Sequence, residues 1–158
     1  FDRQKGFDTL LKAMEWLENY PVHLTAVGEA VHTAARRPKK AANITYTGWL
    51  QPDELSPYLH YADVVVVPSR WEGFAMVPLE AMNHGKPLVV SAIPALLEAM
   101  VPDETGYAFP PDVPSALAKI IAETPPERWA ELGQNGRKFA RKNFGLADML
   151  NRTVALYS

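Results

Sequence analysis

Apolar positions along this chain follow two rhythms that alternate. Phe7, Leu10, Leu11, Met14 and Leu17 recur at the spacing of one helical face and predict a helix over 7–19. Val22, Leu24, Ala26 and Val27 follow Pro21 as a strand closed by Gly28, and 29–41 reads as a weaker helix or loop. Ile44-Thr-Tyr-Thr47 is a short strand ending at Gly48, and Pro52-Asp-Glu-Leu opens a helix with Leu55, Tyr58 and Leu59 on one face. Val64 to Val67 is an unbroken β-branched run, the pattern of a strand covered on both faces. A helix over Met76–His84, a strand at Leu88–Ser91, a short helix over 94–100 and a strand at Tyr107–Phe109 come next. Ser115–Glu123 is helical; after Pro125-Pro126, Glu127–Asn143 and Leu146–Tyr157 read as two further helices parted by Gly145.

Strands alternating with helices predict βαβ units. The fold class is therefore α/β, a Rossmann-like doubly wound parallel sheet with helices on both faces, in a single domain. The chain opens on a helix where such a unit opens on a strand, so the sheet is expected to lack its first strand, one preceding Phe1. The start, Phe-Asp-Arg-Gln-Lys-Gly, is neither a signal peptide nor a translation start and reads as a piece of a longer protein.

Composition narrows the function classes. The 158 residues suit one domain and can bury about two-thirds of the unfolded surface. A 47% hydrophobic and 22% charged chain is ordinary globular protein, which argues against disorder. A net charge of −2 supplies no field to recruit nucleic acid or an acidic membrane. Arg36, Arg37, Lys39 and Lys40 form a local basic cluster of the kind that is usually solvated. The chain has no cysteine, hence no disulfide and no thiolate metal site, which suits a reducing compartment. No apolar run approaches the ~20 residues that span a bilayer.

The candidate chemistry gathers between Val64 and Gly85. The strand turns through Pro68, Ser69 and Gly73 and enters a helix near Pro78. Glu72 is placed beyond the carboxyl end of the strand and Glu80 in the first turn of the helix, at the edge where open α/β sheets bind ligands. A carboxylate only accepts hydrogen bonds and so suits paired sugar hydroxyls, and a helix N-terminus suits an anion. Other chemistry fails: His23, His32, His60 and His84 lack metal-ligand spacing, and no Walker A, Gly-x-Ser-x-Gly or Gly-x-Gly-x-x-Gly motif occurs. Trp16 reads as packing on the opening helix. For Trp49, Trp71 and Trp129, core packing and a ring against a nucleotide base are both open.

Lys5-Gly6-Phe7-Asp8, Val27-Gly28-Glu29, Thr47-Gly48-Trp49, Ala62-Asp63-Val64, Pro68-Ser69, Glu72-Gly73-Phe74, Leu79-Glu80-Ala81-Met82, Gly85-Lys86-Pro87 and Glu104-Thr105-Gly106 occur in that order. Together they resemble the C-terminal, donor-binding domain of retaining nucleotide-sugar glycosyltransferases with the GT-B fold, the glycosyltransferases group 1 family. The resemblance implies that residues 1–158 are the donor half of such an enzyme, the N-terminal acceptor-binding domain being absent from this chain. It implies Lys5 and Glu72 as the catalytic pair, with Lys5 on the diphosphate and Glu72 on the donor sugar. It implies donor contacts from Gly28, Gly73, Phe74, Ala75 and Met76, with Glu80 on the ribose hydroxyls. No cofactor and no metal are implied, and the partners are the NDP-sugar and the missing domain, with no nucleic acid. The setting is cytoplasmic, at most against the inner face of the membrane through that missing domain.

Departures from the pattern refine the expectation. The family's arginine partner of the lysine would precede Phe1, so the chain alone is expected to bind donor weakly and to be inactive. Ala75 stands where glycine is common. Pro94-Ala95-Leu96-Leu97-Glu98 replaces a Gly-Gly-containing loop, removing a close backbone approach on the sugar side. Two other readings stay open: a sugar-nucleotide epimerase of the same fold, and a non-catalytic nucleotide-binding or assembly module.

Overall fold

In the computed structural model, which describes residues 3–28, 41–73 and 76–144, strands and helices alternate as the apolar rhythm predicts. A single 3-10 turn (Arg3–Lys5) leads into α1 (Phe7–Trp16), β1 (Leu24–Val27), β2 (Ile44–Gly48) and α2 (Pro52–Tyr61). Then come β3 (Val65–Val67), α3 (Met76–Asn83), β4 (Leu88–Ser91), α4 (Pro94–Leu97), β5 (Gly106–Phe109), α5 (Pro114–Glu123) and α6 (Pro126–Asn143). The weaker helix or loop expected over 29–41 and the helix expected over Leu146–Tyr157 fall almost wholly outside the described residues, as does the basic cluster at Arg36–Lys40.

Proline opens α2, α4, α5 and α6. Its fixed φ suits a first helical turn, and its missing N–H would have had no intrahelical partner there. At the start of α2 the Glu54 carboxylate also accepts the Gln51 backbone N–H at 2.7 Å. Two helices end earlier than expected: α1 stops at Trp16 rather than reaching residue 19, with Leu17 capping it, and α4 stops at Leu97 rather than reaching residue 100. Trp16, expected to pack, is 56% exposed, because the buried stripe of α1 runs through Phe7, Leu10, Ala13 and Met14.

Among the described residues every ladder is parallel: β1 with β2, β3 with β4, and β4 with β5. The order is β2-β1 in one piece and β3-β4-β5 in the other. Both faces are covered. Leu88 and Val90 of β4 join Val65 and Val67 against α2, α3, α4 and α6; Val89 joins Val64 and Val66 against α1 and α5. Leu24, Ala26, Ile44 and Tyr46 enter the second cluster, so the α1–α5 layer spans both pieces of sheet. Leu88, Val89 and Val90 are all 0% exposed, and burying each such side chain is worth about 1.5–3 kcal/mol. This is the expected Rossmann-like, doubly wound α/β architecture. No helix among the described residues is long and apolar enough to cross a membrane.

α6 lies close on α3 because two of its positions carry no side chain. A Cβ at Gly133 would stand 2.1 Å from the backbone oxygen of Gly85, whereas one at Gly136 would meet the flexible Met82 Cγ at 3.1 Å. Alanine gains about 1 kcal/mol in helix propensity over glycine at either position. At Gly133 the clash is with backbone, and overpacking of about 1–3 kcal/mol outweighs that gain. Urea unfolding is expected to show Gly133→Ala clearly destabilised and Gly136→Ala within about 1 kcal/mol of the parent; equal losses would contradict the packing.

Candidate functional site

The turn after β3 is crossed by the N-terminal segment. The Arg70 backbone N–H donates to the Gln4 carbonyl at 2.8 Å, and the Gln4 side-chain amide donates to the Trp71 carbonyl at 3.1 Å. Gly6 makes this approach feasible. It sits at φ 59, in the left-handed region, and a Cβ there would lie 1.9 Å from the Pro68 oxygen. The crossing brings Lys5 and Glu72 together: Lys5 Nζ is 2.8 Å from Glu72 Oε1, and Ser69 Oγ donates to the same oxygen at 2.7 Å. The Lys5 side chain is 55% exposed and that of Glu72 only 10%, so the cation faces solvent while the carboxylate is held against the turn.

A second cluster lies behind this pair. Arg70 Nη1 and Nη2 grip the two oxygens of Asp8 at 2.8 Å each, Nη1 also donates to the Arg3 carbonyl at 2.7 Å, and Nε donates to Asp112 Oδ1 at 2.7 Å. These hydrogen bonds hold the Asp8 and Asp112 carboxyls below their ordinary value, against the opposing effect of partial desolvation, and push Arg70 upward. Sequence reasoning passed over Arg70 and Asp112. They lie 42 positions apart, so no local spacing links them; only the neighbouring Pro68-Ser69 and Lys5–Asp8 segments hinted at the place.

Glu80 occupies a different part of the same edge. It lines a cavity of about 430 Å³ with Val27, Trp49, Leu50, Gln51, Leu55, Ser56, Leu59, Asn83 and His84. The expectation of Glu80 in the first helical turn is corrected: α3 begins at Met76, so Glu80 falls in its second turn and Pro78 in its first. Gly28 follows β1 beside Val27 at φ 114 and donates its N–H to the Gly48 carbonyl at 2.9 Å; among the described residues a Cβ there or at Gly73 would meet nothing within 4 Å. Met76 is 54% exposed at the start of α3. Phe74 and Ala75 lie outside the described residues. Among the tryptophans, Trp129 packs edge-on against Tyr107, while Trp49 is 71% and Trp71 53% exposed. Among the described residues no cluster of three or more His, Asp or Glu is placed to hold a metal.

Comparison with known proteins gives a consistent result. The family model described as glycosyl transferases group 1 matches residues 1–124. An uncharacterized 41.2 kDa protein of the cps region of Klebsiella pneumoniae is 31% identical over 157 residues, 99% of this chain and 44% of that protein. Sucrose-phosphate synthase from Thermosynechococcus elongatus superposes with a TM-score of 0.82 at 30% identity, over 99% of this chain and 42% of its own. Anabaena HepE, solved in complex with UDP and glucose, superposes with a TM-score of 0.82 at 23% identity, over 99% of this chain and 45% of its own. The chain thus spans less than half the length of each of these relatives.

The Arg70 cluster predicts a pH dependence. A carboxyl whose folded pKa is lowered contributes stability that is complete above its unfolded value of about 3.9 and is lost as pH falls through the folded one. The melting-temperature margin of the parent over Arg70→Gln should therefore be full above about pH 4 and close below it as Asp8 and Asp112 protonate. A margin unchanged at about pH 2 would contradict the ion-pair assignment.

Proposed function

The chain belongs to the glycosyl transferases group 1 family, and from that premise we propose that residues 1–158 form the donor-binding part of a retaining glycosyltransferase. The full-length enzyme would pass a glycosyl group from an NDP-sugar to an acceptor hydroxyl, with the anomeric configuration kept. The acceptor is read by the rest of the same protein, and the reaction is cytoplasmic. One observation carries this reading: the Lys5–Glu72 pair stands at the same carboxyl-end edge of the sheet as the Glu80-lined cavity.

In this assignment the nucleoside enters the cavity, where Glu80 accepts hydrogen bonds from the ribose hydroxyls. The diphosphate lies toward Lys5 and the start of α3, whose first amides have no partner within the helix. Glu72, with the backbone of Gly73, Phe74 and Ala75, takes hydroxyls of the donor sugar. Met76 and Gly28 border the phosphates. As the bond from the anomeric carbon to the diphosphate breaks, negative charge grows on the leaving oxygen, and the Lys5 cation and the helix amides stabilise it. That is electrostatic catalysis, and the proposal assigns no metal and no cofactor to it. The UDP and glucose held by Anabaena HepE on the same fold support the ligand class.

Titration of the full-length protein with UDP, GDP and ADP tests the assignment. One of the three should bind, and Lys5→Ala should weaken it about 10- to 100-fold, the value of one charge-assisted contact to phosphate. Glu80→Gln should weaken the ribonucleotide, and that loss should shrink for its 2′-deoxy counterpart. No binding of any of the three up to millimolar concentration by folded protein would sink the donor-site reading.

A further inference from the structure

We propose that Arg70 is a positioning residue for the Lys5–Glu72 pair: its guanidinium fixes the backbone on both sides of that pair and so sets where the lysine ammonium stands. Its hold on the pair follows from geometry alone, whereas its consequence for donor binding rests on the donor-site reading above.

The guanidinium ties three segments distant in sequence. Through Asp8 and the Arg3 carbonyl it holds the turn and helix start that carry Lys5. Its own backbone lies beside Ser69 and close to Glu72, on the β3–α3 turn. Through Asp112 it anchors both to the turn after β5. Asp112 adopts φ 60, a conformation unusual for a residue with a side chain, and Thr9 Oγ1 donates to the same carboxylate at 3.2 Å. The Arg70 side chain is 16% exposed, while the Asp8 and Asp112 carboxylates that it grips are 59% and 56% exposed.

A role in stability alone fits this arrangement poorly. Ion pairs to half-exposed carboxylates contribute little to folding, because solvent and salt screen them. What a guanidinium supplies beyond charge is direction, since its planar fork fixes the relative position of every acceptor that it meets. Lys5 gains from direction. It is a long, half-exposed side chain whose reach is decided by where its backbone is pinned, and that backbone lies between the two Arg70 tethers at Arg3 and Asp8. A lysine at position 70 has three donors on a flexible stem, so it cannot make the four guanidinium hydrogen bonds to Asp8, Asp112 and the Arg3 carbonyl and lacks the planar fork that grips Asp8.

The test compares Arg70→Gln, Arg70→Lys, Lys5→Ala and the double variant Lys5→Ala/Arg70→Gln in the full-length protein. Backbone hydrogen exchange is read on the free protein, and affinity is read for whichever of UDP, GDP or ADP the parent binds, beside its monophosphate. In Arg70→Gln, residues 3–8 and 69–72 should exchange faster together while α5 and α6 keep their protection. Diphosphate affinity should fall about tenfold, monophosphate affinity less, and Arg70→Gln should add little once Lys5 is alanine, as coupled sites behave. Arg70→Lys should follow Arg70→Gln. Unchanged exchange in the two segments, or a general rise in exchange with diphosphate and monophosphate weakened alike and additively to Lys5→Ala, would overturn the proposal. If the parent binds none of the three nucleotides, the donor-site reading falls, and the exchange data alone decide whether Arg70 holds the pair.

Discussion

β4 has no exposed position on either face, so the sheet that contains it can exist only with helices on both sides. The other placements follow from this. Val89 turns toward α1 and α5, and its neighbours Leu88 and Val90 turn toward α2, α3, α4 and α6, because side chains on a strand alternate. Parallel strands covered in this way are joined by crossovers, and every loop that leaves a strand for a helix collects at one edge. The turn with Glu72, the loop with Trp49 and the loop with Asp112 follow β3, β2 and β5 and so share that edge.

The core and the edge are held by different forces. A fully buried Val or Leu contributes about 1.5–3 kcal/mol, while an exposed ion pair contributes about 0–1 kcal/mol. The fold is therefore secured beneath the strands, and the polar loops at their ends add little to it. Those loops still need a defined shape, and hydrogen-bond direction supplies it. Ser69 is 1% exposed and satisfied by Glu72; Gln4 reaches over the turn to Trp71; Arg70 ties the whole to Asp8 and Asp112. Gly6 makes the crossing possible by presenting no side chain to Pro68.

Legibility in the sequence followed the range of the forces involved. Strand and helix types were readable because they rest on local periodicity, and β4 came out at its expected bounds, Leu88–Ser91. Helix ends are less readable: α1 stops at Trp16, with the last residue of its apolar stripe, Leu17, as its cap, and does not reach residue 19. The start of α3 at Met76 matches the expected bound, and the first-turn placement of Glu80 fails because it counts from Pro78, near which the helix is entered, and not from Met76. Lys5 and Glu72 were each singled out, but their contact spans 67 positions and no periodicity reports it. Arg70 was missed for the same reason, its partners lying far away in both directions. Trp16 shows the converse limit: a large apolar side chain invites a packing assignment, and the exposed face of α1 leaves it in solvent.

On the donor-binding reading, the Lys5–Glu72 pair resolves a conflict of charge. Glu72 and Glu80 both stand at an edge meant for an anion, and an unpaired carboxylate there would repel a diphosphate. At about 4 Å and an effective dielectric constant near 20, one such charge pair is worth about 4 kcal/mol. Paired with Lys5, Glu72 presents no net charge to an arriving donor. Lys5 must then turn toward the phosphates, which would leave Glu72 short of a partner if the ammonium were its sole donor. Ser69 Oγ removes that difficulty. Its contact with Oε1 at 2.7 Å does not involve the lysine, and on this reading hydroxyls of the donor sugar would supply further donors in place of the ammonium. On this reading one hydrogen bond would replace another on the Glu72 side chain, which is 10% exposed, while the reorienting group would be the Lys5 side chain, which is 55% exposed. In the proposed positioning role, the Arg70 bonds to Arg3 and Asp8 would limit that reorientation by pinning the backbone from which Lys5 extends.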